Sequence, residues 1–199
     1  MKKLLYTLLA LSITFSACKK ENDTPTNLGN NNNSALAIGD THQGGIIFYL
    51  DANGGGLIAA LSDSLTGDTV APWGCYSETI TGANGIEIGT GQQNTDSIVT
   101  VCSTTGTAAE ICYNLILNGY DDWFLPSKGE LNEMYLNLYI QGLGNFVVNS
   151  GIGSARYWSS TQYNINSAWT QQFYNTSTDG SPVPEGKNNL GYVRAIRAF

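Results

Sequence analysis

The chain has 199 residues, 42% of them hydrophobic and 13% charged, with 23 Gly and 5 Pro. That mix suits a compact, loop-rich domain and excludes a disordered or collagen-like chain. The formal net charge is −7, but its distribution is uneven: beyond Lys20 the only cations are Lys128, Arg156, Lys187, Arg194 and Arg197, against fourteen carboxylates from residue 36 onward. An acidic field of this kind repels nucleic acid and sulfated polysaccharide, whose binding needs clustered Lys and Arg.

In chain order, Lys2 and Lys3 form a short positive region, Leu4 to Phe15 an apolar stretch, and Ser16-Ala17 a small-residue cleavage approach, so residues 1–17 read as a signal peptide. The stretch is too short to span a roughly 30 Å hydrocarbon core, which needs about 20 apolar residues. Cys18 directly after it resembles the lipobox of bacterial lipoproteins, with Phe15 where an aliphatic residue is usual. The resemblance implies a diacylated Cys18 at the mature N-terminus, and two or more acyl chains hold firmly where one is marginal. Residues 18–37 then read as the lipidated cysteine and a polar tether containing four consecutive Asn. Such a linker spans on the order of 20–25 Å. The run Lys19-Lys20-Glu21-Asn22-Asp23 is similar to the charged export signal of Bacteroidota lipoproteins. It implies an outer-membrane lipoprotein exposed at the cell surface.

Residues 38–199 read as one globular domain. Gly45–Leu50 and Leu57–Leu61 are apolar runs flanking Asn53-Gly54, which predicts a hairpin. Residues 62–100, rich in Gly, Thr, Asp and Asn, predict long loops with short strands. Two helices follow. Thr107/Glu110 and Ser127/Glu130 both have capping-box spacing; Gly119 would stop the first helix, and Leu131, Met134, Tyr135 and Leu138 stripe the second. Residues 156–161, 168–173 and 192–199 return to strands, with Asp179-Gly180 in a turn between the last two. Strands, two helices, then strands predict an α+β domain with an antiparallel sheet against which both helices pack.

Besides Cys18 there are three cysteines, Cys75, Cys102 and Cys112. An oxidising compartment allows one disulfide among them, and all three pairings stay open. No CxxC pair is present and His42 is far off in sequence, so a zinc site is not indicated.

Several blocks now become recognisable: Gly44–Tyr49, Ile88–Thr95, Asp122–Leu131, Tyr157–Thr161 with Ala168-Trp169, and Val193–Phe199. Together they resemble the Lcl C-terminal domain family, named for the Legionella collagen-like adhesin, over residues 38–199. The resemblance implies an outline similar to the C-type-lectin-like and formylglycine-generating folds. The namesake binds sulfated glycans, and the acidic charge here argues against the same ligand. Formylglycine-type oxidases use a cysteine pair near the C-terminus, whereas no cysteine follows Cys112.

Four tryptophans raise sugar stacking. Trp123, Trp158 and Trp169 read as core, while Trp73, in the loop Ala71–Cys75, is the candidate for an exposed face. Asp121 and Asp122 could offer oxygens to Ca²⁺, the alternative being a solvated loop; no other cofactor is indicated. Arg194 and Arg197, three apart, should point to opposite faces of a strand, one buried against a carboxylate and one exposed. One histidine with no accompanying Ser or Cys motif gives catalysis little support. The sequence thus predicts a non-enzymatic, membrane-anchored lipoprotein whose domain binds a neutral glycan or another surface protein. The alternative is a structural or secretion-accessory envelope protein acting through protein contacts.

Overall fold

The computed structural model describes residues 35–63, 70–147, 155–173 and 180–199, which belong to one unit, Ala35–Phe199. The signal peptide, Cys18 and the tether up to residue 34 lie outside the described residues, as does Asp179 of the predicted turn. No helix among the described residues is long and apolar enough to cross a membrane.

The predicted hairpin is present. Strand β2 (Gly45–Leu50) pairs antiparallel with β3 (Gly56–Ala60), and Asp51 Oδ1 accepts from the amides of Asn53 and Gly55 in the turn. With β1 (Thr41–His42) and β9 (Ile196–Ala198) they make a four-stranded sheet ordered β1-β2-β3-β9. Both faces of this sheet are covered. Ile47 and Ile58 enter one hydrophobic cluster with Trp73, Trp123 and Trp158, while Phe48, Leu57 and Ile196 enter another with Met134, Leu138 and Phe173. Two-sided burial is why these strands read as unbroken apolar runs instead of alternating ones.

The domain is α+β as expected, but it has two sheets where one was predicted. The second is ordered β4-β8-β5-β6-β7: β4 (Val70–Pro72), β8 (Leu190–Tyr192), β5 (Arg156–Gln162), β6 (Ser167–Gln172) and β7 (Pro182–Gly186). It is mixed, because β5 and β8 run parallel at Tyr157 and Tyr192. The C-terminal segment expected as one strand is divided between the sheets. It leaves β8 after Tyr192 and rejoins as β9 at Ile196, with buried Arg194 between them.

Helix α1 (Gly91–Val101) lies where loops were predicted. Its buried residues Gly91, Asn94, Thr95 and Ile98 keep helical spacing, but three of the four carry no large apolar side chain, so hydrophobic periodicity is silent. Helix α2 (Ala108–Tyr113) starts as predicted, with the Thr107 hydroxyl accepting from the Glu110 amide. It ends at Asn114, five residues before the predicted stop; Gly119 instead occupies a left-handed turn position (φ 83°) between the bridged residues Leu117 and Tyr120. Helix α3 (Lys128–Met134) has the complete capping box, and Leu131, Met134, Tyr135 and Leu138 are all buried. It runs on into a π-helical turn, Tyr135–Tyr139.

Of the three open pairings, Cys75–Cys102 is the one formed, and Cys112 is a buried free thiol whose pKa burial pushes up. The bond ties the loop after β4 to the end of α1 across a sequence separation of 27. In the chain-entropy account a loop of that length contributes roughly 3–4 kcal/mol.

Candidate functional site

Three of the sequence blocks meet at a buried polar junction between α1, the segment leading into α3, and β5. Asn94 Nδ2 donates to Gly85 O (2.7 Å) and Asn94 Oδ1 accepts from Gly85 N (3.0 Å), while Thr95 Oγ1 accepts from the Leu125 amide (3.0 Å). Ser160 N donates to Pro126 O (2.7 Å), and Thr161 Oγ1 accepts from the Lys128 amide (2.9 Å). Glu130 is fully buried and accepts from the amides of Ser127 (2.7 Å) and Gly89 (2.8 Å). Burial pushes its carboxyl above the usual range, opposed by hydrogen bonds from the Ser127, Gly89 and Gly91 amides. Gly91 is required here, since a Cβ would lie 2.2 Å from Glu130 Oε2. The Gly-Thr-Gly-Gln-Gln-Asn-Thr and Leu-Pro-Ser-Lys-Gly-Glu blocks therefore serve architecture, and their partners are already satisfied.

The sequence-predicted site residues do not come together. Trp73 is fully buried, contrary to the expectation of an exposed face: its Nε1 donates to Ser159 O (2.9 Å), and the Lys187 ammonium lies 4.6 Å from a ring centroid. A loop position suggested the surface, but the indole fills the first hydrophobic cluster. Asp122 is held by Arg197, with Nε donating to Oδ1 (2.6 Å) and Nη2 to Oδ2 (2.8 Å). The hydrogen bond from Arg197 lowers its carboxyl below the usual range. Both of its oxygens are thus engaged by a guanidinium, while the neighbouring Asp121 is exposed. Among the described residues no three His, Cys, Asp or Glu side chains are grouped to hold a metal. His42 packs edge-on against Phe199, 4.6 Å between centroids.

Arg197 is buried, not exposed as one of the two arginines was expected to be, and so is Arg194. The alternation argument fails because Arg194 precedes β9 and does not share its pleat. Arg194 pairs with buried Asp63 and donates to Ala60 O (2.9 Å) and Gly144 O (2.7 Å). Tyr157 Oη donates to the second Asp63 oxygen (2.6 Å). Lys187 is also buried, its ammonium donating to Glu78 O (2.7 Å), Gln162 Oε1 (2.8 Å) and Cys75 O (3.4 Å). Burial brings its pKa down to about 8, with the Glu78 charge opposing. Arg156 pairs with Glu185, and the Lys128 ammonium sits 3.7 Å from a Trp169 ring centroid. Each of the five cations beyond Lys20 therefore has a partner within the domain, with Arg156 and Lys128 half-buried.

One surface feature remains that sequence reasoning missed. Between α3 with its π-helical turn and the edge strand β7 lie two adjoining depressions of about 410 and 370 Å³, which share Asn132 and Pro182. Tyr135, Leu136 and Ile140 line one; Ile86, Glu87, Lys128 and Gly129 line the other. At the Lys128 end stand half-buried Trp169 and exposed Tyr163, edge-on at 5.0 Å. The groove joins elements about 50 residues apart, and no local pattern announces it.

No protein-family model matches this chain, and no curated protein matches it at a significant level.

Proposed function

We propose that the protein is a non-enzymatic cell-envelope lipoprotein, anchored through Cys18 to the outer membrane and exposed at the surface, whose domain binds a neutral glycan. On this reading the two-sheet domain is a variant of the C-type-lectin-like outline and a distant relative of the Lcl C-terminal domain. The observation that carries the choice of ligand is the state of the cations. Arg194, Arg197, Arg156, Lys128 and Lys187 are each held by a carboxylate, a carbonyl set or an indole face, while Asp40, Asp51, Glu78, Glu87, Asp96 and Asp121 are exposed and make no ion pair among the described residues. Such a surface attracts no polyanion. A ligand recognised through apolar contact and neutral hydrogen bonds remains.

The domain reading is tested on an array carrying neutral and sulfated glycans, with and without Ca²⁺. Binding to neutral glycans is expected; binding confined to sulfated ones, or none at all, contradicts it. Anchoring is tested by metabolic labelling with palmitate, which the wild-type chain should incorporate and a Cys18→Ser chain should not.

A second reading, a structural or secretion-accessory protein, is favoured by aliphatic side chains left in solvent, Ile116 at 70% and Leu190 at 66% exposure. Crosslinking on intact cells should then capture a stable protein partner.

A further inference from the structure

Behind the groove between α3 and β7 a buried amide ties two of its lining residues, Asn132 and Gly180, together. Gln171 is fully buried on β6, and its Nε2 donates to Gly180 O (2.7 Å) and to Asn132 Oδ1 (3.0 Å). A backbone carbonyl only accepts, so the Gly180 bond fixes which end of the Gln171 amide faces this way. That in turn fixes Asn132: its Oδ1 is used on Gln171, and Nδ2 has no acceptor among the described residues. Gln171 Oε1 is buried and likewise without a partner, an arrangement native proteins seldom leave standing.

The walls have a different character at each end. In β6 and β7, Gln171 faces Pro182 and Trp169 faces Pro184, and directly paired residues share a face of the sheet. Prolines on this edge also deny β7 further strand pairing, so an added peptide strand is disfavoured. The α3 side turns π-helical at Tyr135, where the groove wall passes to Leu136 and Ile140, 44% and 46% exposed. Departures of this kind from α-helix are frequent at functional sites. The combined space lies in the range of small-molecule sites, and it offers apolar walls and the Asn132 amide donor, with the aromatic pair Trp169 and Tyr163 beyond Lys128 at one end.

We infer that this groove is the glycan site, and that it takes a neutral oligosaccharide of at least two pyranose units, one near Trp169 and Tyr163 and the next against Leu136 and Ile140. This rests on the neutral-ligand reading above. Asn132 Nδ2 donates at the centre to an acceptor oxygen of the sugar, and the Glu87 carboxylate accepts hydrogen bonds from sugar hydroxyls near the Lys128 end. A sulfated sugar would meet the Glu87 carboxylate, and the single lysine on the wall, Lys128, is drawn over the Trp169 ring.

The test measures calorimetric affinity of the full chain, in a non-glycosidic detergent, for cellohexaose, maltohexaose, mannohexaose and chitohexaose. Asn132→Asp keeps an oxygen for Gln171 and deletes the central donor, while Leu136→Asp spoils the apolar wall at an exposed position. Each should weaken the bound sugar at least tenfold with the melting temperature held within a few degrees. Ile116→Asp, on α2's far loop, should leave affinity unchanged. Wild-type binding that both groove variants retain overturns the groove and spares the neutral-glycan reading. No binding of any probe by the wild type overturns both.

Discussion

Two arginines three residues apart do different jobs. Arg194 and its partner Asp63 are both sealed, with side-chain exposures of 0% and 3%, whereas Arg197 is 7% exposed and its partner Asp122 is 52% exposed. Around Asp63 a closed network forms: Tyr157 donates to it, the Val147 amide donates to Tyr157 Oη (2.8 Å), and the Arg194 guanidinium lies over the Phe146 ring at 4.1 Å. Around Arg197 the arrangement is half open: Gln43 Oε1 accepts from Nη1 (2.6 Å), and Tyr120 lies under the guanidinium at 3.9 Å. The same residue type within one short segment thus supplies a core fastening and a surface fastening. The difference lies in how much water each carboxylate keeps.

The sharpest way to break the comparison is to orphan a charge. Asp63→Ala or Arg194→Ala leaves an unpaired ion in the core and should cost about 3–5 kcal/mol in urea unfolding, while the volume-matched pair Asp63→Leu with Arg194→Met should cost clearly less than the sum. Near-additive costs would show that the two residues are not one unit. Tyr157→Phe removes the hydroxyl that satisfies both Asp63 and the Val147 amide. A loss of about 1–3 kcal/mol is expected, with no change in the m-value. The rim pair should be far weaker. Asp122→Asn is expected to cost about 0.2–1 kcal/mol, less at high salt.

Acid separates the two fastenings as well. Arg197 holds the Asp122 carboxyl below its ordinary 3.8. The folded state therefore binds that proton less readily than the unfolded chain, so the pair's contribution is present above about pH 4 and fades as pH falls through the lower folded value. Melting curves between pH 5 and pH 2 should show a shallower acid loss in Asp122→Asn than in wild type. Identical slopes would remove Asp122 from the account.

What the sequence made legible follows the distance between partners. The Ser127/Glu130 box and the Asp51–Gly56 turn could be read because each is closed within a few residues. The apolar runs of β2 and β3 announced strands for the same local reason. Asp63, in a Gly- and Thr-rich stretch, gave no hint of a partner 131 positions away. Trp73 looked exposed because its hydrogen-bond partner lies 86 residues on, and α1 was hidden by a buried face of Gly, Asn and Thr. The groove was illegible for a further reason: its walls come from a helix and an edge strand, and the residue that ties Asn132 to Gly180 from behind is Gln171, which ordinary strand alternation marks only as one more residue of β6.

The central claim is that each of the five cations beyond Lys20 is held within the domain by a carboxylate, a carbonyl set or an aromatic face and that none forms a cluster open to a polyanion. Chromatography of the chain on immobilised heparin at about 50 mM salt tests it most directly, because cationic contacts to sulfated polymer are strongest there. The account predicts passage in the void volume at neutral pH. Retention that falls away steeply with added salt, and that persists when Lys19 and Lys20 of the tether are replaced by Ser, would contradict it, showing that the paired arginines and lysines are available to an anionic ligand.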